Sequence, residues 1–166
     1  TPSNSSAASD VYKRQVLFDW GARLDGYCSD LTRVVATDTI PRELAVLVDV
    51  VLDARAAVLE KLKPGVLCGE ADAAGRAVIA KAGYGRYFGH SMGHGVGLAV
   101  HEGPRVGPGS EQVLLPGMVV TVEPGIYLPG RIGVRIEDMA LITPHGHEVL
   151  SDLARRPGEL TPFAAR

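Results

Sequence analysis

Two β-prone runs open the interpretable part of the chain, residues 16–20 and 31–35, and the pair Asp25-Gly26 lies between them. Asp-Gly between two such runs is a strong hairpin signal. A two-residue loop there sets the register: Leu24 faces Tyr27, Gly21 faces Asp30 and Asp19 faces Thr32. Asp19 and Asp30 then share one face as diagonal neighbours, roughly 7–8 Å apart at the backbone. Gly21 leaves no side chain between them. Leu17, Phe18 and Trp20 predict that the first strand is buried, where Asp19 would need a partner.

Helical spacing follows. Leu44, Leu47, Val48, Val51, Val58 and Leu62 form one apolar stripe over residues 41–62. Thr39 is the expected cap, Pro41 suits the first turn, and Lys63-Pro64-Gly65 is the stop. A second helix is predicted over residues 70–82, ended by Gly83. Arg55 and Glu60 read as solvated, and neither helix is assigned chemistry. Period-two patterning then returns. A near-continuous apolar strand over residues 117–122 ends in Glu123 and breaks at Pro124-Gly125. Residues 132–142 alternate Val134 and Ile136 against Arg135 and Glu137, as a half-buried strand would.

Between these regions lies a glycine-dense stretch, residues 88–104, holding His90, His94 and His101, three of the five histidines. Packing alone is a poor explanation for that clustering. Glycines at 93, 95 and 97 let the backbone approach a ligand closely or adopt positive φ. Asp19, Asp30, His94, Glu123 and Glu137 together offer four carboxylates and one imidazole. Such donors suit Mn²⁺, Fe²⁺, Co²⁺ or Zn²⁺ better than a thiolate-based structural site does. Four carboxylates in one place repel unless cations are present, and two divalent ions cancel their charge. A two-metal hydrolytic centre is the chemistry this pattern points to.

Composition narrows the classes. With 166 residues, 46% of them hydrophobic, the chain can build one core. A net charge of −2 gives no support for nucleic acid or an anionic membrane as partner. Cys28 and Cys68 do not form a disulfide framework. No apolar run is long enough to span a bilayer and no secretory signal is present, so the cytoplasm is the default expectation.

The ordered motifs, in their contexts, resemble the pita-bread metallopeptidases, the superfamily of methionine aminopeptidase, aminopeptidase P and prolidase. The resemblance covers roughly residues 15–152. It implies an α+β fold with a curved antiparallel sheet and helices on its outer face. It further implies two divalent ions, with Mn²⁺ expected and Co²⁺, Zn²⁺ or Fe²⁺ as alternatives. Asp30 and Glu137 would bridge them, Asp19 would bind one ion, and His94 and Glu123 the other. A metal-bridging hydroxide would attack the scissile carbonyl. Glu123 would take the water's proton and pass it to the leaving amine, and His101 would steady the tetrahedral intermediate. His90 and Arg135 resemble substrate-facing groups that methionine aminopeptidases usually lack. They favour an Xaa-Pro peptidase acting on peptides with proline at the second position. The leaning is to Xaa-Pro aminopeptidase, with prolidase and methionine aminopeptidase as alternatives. The resemblance also admits a homodimer.

The ends depart from that pattern. Residues 1–14 are polar and of low complexity, and read as foreign to the fold. Residues 15–152 then read as the C-terminal part of a catalytic domain, and 153–166 as a tail. No histidine precedes His90, although relatives carry a substrate-binding one upstream of the first aspartate. Two readings of other classes stay open: a non-enzymatic binding module, and a catalytically inactive fragment that still binds metal.

Overall fold

The computed structural model describes residues 15–37 and 39–160. The reading of residues 1–14 as a foreign segment lies outside them, as do residues 161–166. The first hairpin forms in the expected register. Strands β1 (Gln15–Trp20) and β4 (Leu31–Ala36) pair antiparallel, with Asp19 opposite Thr32. The short strands β2 (Arg23–Leu24) and β3 (Tyr27–Cys28) close the turn, with Leu24 opposite Tyr27. Asp25 and Gly26 both have positive φ, 51° and 91°, as a two-residue primed turn requires. Gly21 is needed for close approach across the hairpin, since a Cβ there would lie 2.0 Å from the Ser29 carbonyl oxygen.

The expected burial of β1 is not observed. Val16, Phe18 and Trp20 are 41%, 49% and 44% exposed. Among the described residues β1 pairs only with β4, so one edge and much of one face have nothing packed on them. Its partner β4 is largely buried.

Helix α1 (Arg42–Leu59) packs its stripe of Leu44, Leu47, Val48, Val51, Ala54 and Val58 into the core, against helix α2 (Cys68–Lys81) and the sheets. Pro41, rather than the expected Thr39, takes the N-cap position, and it makes no side-chain cap hydrogen bond. Gly83 follows α2 with φ 87°, as predicted for its stop.

Five strands make the main antiparallel sheet, in the order β11 (Gly146–Val149), β10 (Asp138–Thr143), β7 (Val119–Val122), β5 (Gly93–Gly95), β6 (Glu102–Val106). A separate ribbon pairs β8 (Gly125–Leu128) with β9 (Ile132–Arg135). The continuous strand expected over residues 132–142 is therefore broken. β9 pairs with β8, while β10 pairs with β7, and the chain changes partner at Ile136 and Glu137. It does the same at Glu123 and Pro124, between β7 and β8. Both glutamates thus sit where the backbone leaves one ladder for another. No helix among the described residues is long and apolar enough to cross a membrane.

Arg55 is not solvated. Its guanidinium pairs with Asp138, a fully buried carboxylate that also receives Arg33 Nη2 at 2.6 Å and Arg155 Nε at 2.6 Å. Burial pushes the Asp138 carboxyl up, but hydrogen bonds from Arg155 and Arg33 outweigh it and hold the group below the usual range. Arg33 also donates to the carbonyls of Leu153 and Ala154, tying residues 153–154 to β4. Asp138→Asn would leave three cations facing a neutral amide. It is expected to lower stability by about 3 kcal/mol, read as a lower urea midpoint at unchanged slope. An unchanged midpoint would mean that the arginines are satisfied without the charge.

Candidate metal centre

The four strand boundaries described above place one carboxylate each beside β5. Asp19 stands near the end of β1, Asp30 just before β4, Glu123 just after β7 and Glu137 just before β10. His94 is the middle residue of β5. Gly93 allows β5 to lie against β7, because a Cβ there would be 2.0 Å from the Thr121 carbonyl oxygen.

Among the described residues, three groups bring their donor atoms within 4.8 Å of one another: Asp19 with Asp30 and Glu137, His94 with Glu123 and Glu137, and Asp30 with His94 and His101. Glu137 belongs to the first two, and Asp30 to the first and third. His94 Nε2 is 3.3 Å from Glu123 Oε1 and 3.7 Å from Asp30 Oδ2. His94 Nδ1 lies 3.0 Å from the Gly95 carbonyl oxygen, which can only accept, so Nδ1 donates there and Nε2 is the ring nitrogen that faces the carboxylates. The His101 ring is 4.3 Å from that of His94 and exposed.

Burial decides the electrostatics. Glu137 is 2% exposed. Burial, then the neighbouring Glu123 and Asp30, pushes its carboxyl from 4.5 to about 8, against a hydrogen bond from Thr32 Oγ1 at 2.5 Å. Asp30 is also raised, by burial first and Asp19 second. Without cations the cluster therefore resists full ionisation.

The model of metallopeptidase family M24 matches residues 2–144. This chain belongs to metallopeptidase family M24. Among its relatives, an uncharacterized peptidase of Bacillus subtilis is 51% identical over 136 residues, 82% of this chain and 38% of the relative. The crystal structure of a Pyrococcus horikoshii prolidase superposes with a TM-score of 0.83 at 46% identity, over 86% of this chain and 41% of that one. A Thermotoga maritima X-Pro aminopeptidase gives 0.83 at 41% identity, over 85% and 40%. The fold is the pita-bread fold of these peptidases. The chain spans about two fifths of the length of the relatives it matches.

M24 peptidases use divalent metals, and the residues present fit them. Four carboxylates and one correctly oriented imidazole converge, and the buried Glu137 lacks the counter-charge that a divalent cation would bring.

All eight residues singled out from the sequence fall in one region of this M24 chain. His90 lies beside the cluster, with Nδ1 4.0 Å from Glu123 Oε2 and Nε2 2.9 Å from the Tyr127 hydroxyl. Arg135 pairs with Asp19, donates to Thr32 Oγ1 at 3.1 Å and reaches the Tyr127 hydroxyl at 3.5 Å. Three participants went unread in the sequence: Thr32, Thr121 and Tyr127. Thr121 Oγ1 accepts from the His94 N–H at 3.0 Å and donates to Glu123 Oε1 at 3.2 Å. Period two held the signal for both threonines, because Thr32 lies two positions after Asp30 and Thr121 two before Glu123. Tyr127 had no such cue, since only the β8–β9 ribbon brings it to His90 and Arg135.

Proposed function

We propose that this M24 chain carries the dinuclear centre of an Xaa-Pro peptidase, and that the substrate is an Xaa-Pro dipeptide. Glu137's place in both carboxylate groups is the observation that carries the dinuclear reading. In it, Asp19, Asp30 and Glu137 would hold one ion, and His94, Glu123 and Glu137 the other. The ions, when bound, supply positive charge that acidifies water and polarises a carbonyl.

The chain's own groups do the rest. Glu123 Oε1 accepts from Thr121, which leaves Oε2, on the His90 side, free to take a proton and return it to a leaving amine. His101, exposed above Asp30 and His94, donates to the oxygen that gains charge. His90 and Arg135 line the cleft, are joined through the Tyr127 hydroxyl, and hold the peptide in line with Glu123.

Sequence reasoning leaned to the aminopeptidase. Two observations support the dipeptidase instead. Identity to the Pyrococcus prolidase exceeds identity to the Thermotoga X-Pro aminopeptidase. Arg105 lines the cleft with His90, His94, Glu123 and Arg135, a second cation on a concave surface of about 370 Å³. A dipeptide presents a carboxylate next to its scissile bond, and a guanidinium at the cleft suits it.

The test is hydrolysis of Ala-Pro and of Ala-Pro-Ala by the Mn²⁺-loaded chain. Faster turnover of the dipeptide supports the reading, and Arg105→Gln is expected to raise KM for Ala-Pro by about 10–100-fold while leaving the tripeptide little changed. Preference for the tripeptide, unaltered by that substitution, would return the assignment to an aminopeptidase.

A further inference from the structure

We propose that Asp72 and Arg76 of α2 are positioning residues that hold His90 and Glu123 in place; this rests on the reading of those two residues as parts of a peptidase centre. Neither touches the cluster, and helical spacing alone gave α2 no chemistry.

Asp72 is 1% exposed and satisfied from two sides. Its Oδ1 accepts from the Met92 N–H at 3.1 Å and from Arg76 Nη2 at 2.8 Å, and its Oδ2 accepts from Arg76 Nε at 2.9 Å. The bidentate pair fixes the guanidinium plane. So held, Arg76 donates to the His90 carbonyl oxygen at 2.8 Å and the Phe88 carbonyl oxygen at 3.3 Å. Its guanidinium also covers the Phe88 ring at 4.5 Å, and that ring meets the His90 imidazole edge-on at 4.7 Å.

Two routes lead from this clamp to the site. The His90 backbone is held by Arg76 and its ring by Phe88, which sets the imidazole against Tyr127. The Met92 N–H is held by Asp72, while the Met92 carbonyl accepts from the Glu123 N–H at 2.8 Å. One ion pair thus fixes the segment that carries His90 and, two residues further, Met92, whose carbonyl anchors Glu123. Gly75 lets α2 come this close, because a Cβ there would lie 2.6 Å from Val58 Cγ2 and 2.8 Å from Met92 Cε.

An ordinary i,i+4 helix pair would predict something different. Arg76→Lys keeps that charge pair but cannot span both Asp72 oxygens and two carbonyls. The first readout needs no turnover: the imidazole NMR signals of the metal-free chain, with His90 assigned by its loss in His90→Gln. In Arg76→Lys the His90 signals are expected to move or broaden, while those of His145, in the β10–β11 turn, and His147, in β11, stay. In the Mn²⁺-loaded chain kcat/KM for Ala-Pro is expected to fall about 100-fold, the order that a displacement near 1 Å produces. Unmoved His90 signals in a folded Arg76→Lys chain overturn the proposal, whatever the activity. If the lysine variant does not fold, Asp72→Asn keeps shape and the Met92 acceptor while releasing Arg76, and the same signals decide. A wild-type chain without turnover would count against the peptidase reading alone, because the NMR comparison still judges the clamp.

Discussion

Stripped of divalent ions, the chain is expected to lose stability as pH rises from about 4.5 to about 8, and to recover it when Mn²⁺ is added. The cause is Glu137, whose carboxyl is raised from 4.5 to about 8 by burial and by Glu123 and Asp30. A carboxyl raised in the folded state binds its proton more tightly there than in the unfolded chain. Its contribution is therefore fully present below 4.5, falls as pH climbs, and is gone above about 8. At about 1.4 kcal/mol per pH unit, that interval corresponds to about 5 kcal/mol. Asp30, also raised, acts in the same direction. Asp138 has the opposite sign, but its lowered carboxyl titrates below 3.8, outside the window. Urea midpoints of the EDTA-treated chain at pH 5 and pH 8.5 measure the effect. Mn²⁺ at 100 times its Kd should then add about 2.7 kcal/mol. A flat profile, or one that metal leaves unmoved, would mean that Thr32 and Arg135 compensate Glu137 by themselves, and the case for a cation site would lose its electrostatic support.

The readable parts of this site were the ones set by local chemistry. Asp25-Gly26 determines a turn, the turn determines a register, and the register puts Asp19 opposite Thr32 and brings Asp30 to the same face. The glycine-dense stretch around His94 was legible because close backbone approach demands glycine, as the contact of Gly93 with Thr121 bears out. What escaped depends on distant partners. Arg55 lies on the polar side of its helix, and only the chain's return 83 residues later gives it Asp138. The burial of β1 was inferred from its own apolar residues, but burial needs something packed on top, which no strand's composition supplies. The break at Ile136 and Glu137 was invisible to period-two counting, because alternation continues through a change of partner strand. That break moves Glu137 from a half-solvated face into the buried centre, and so creates the electrostatic strain on which the metal reading leans.

Removing Glu123 should abolish turnover. Its backbone N–H is pinned to the Met92 carbonyl, its side chain accepts from Thr121 at 3.2 Å, and Pro124 takes the chain out of the β7 ladder straight after it. The carboxylate is therefore aimed, with Oε1 3.3 Å from His94 Nε2 and Oε2 towards His90. Glu123→Gln keeps the shape and one neutral oxygen donor but has no site for the proton, so a loss of about 10²–10⁴ in kcat is expected while most of the metal is retained. Glu123→Ala removes a ligand as well, and Mn²⁺ affinity should fall with activity. The pair of variants separates the two duties assigned to this residue. If Glu123→Gln kept full turnover, Glu123 would be a ligand only and another group would carry the proton. Should the wild-type chain bind two Mn²⁺ and yet hydrolyse neither Ala-Pro nor Ala-Pro-Ala, the metal affinities of the two variants would still report on the ligand role. That outcome would favour the reading of a metal-binding fragment, in which the centre forms on these strands while the grip on substrate depends on parts of the protein beyond them.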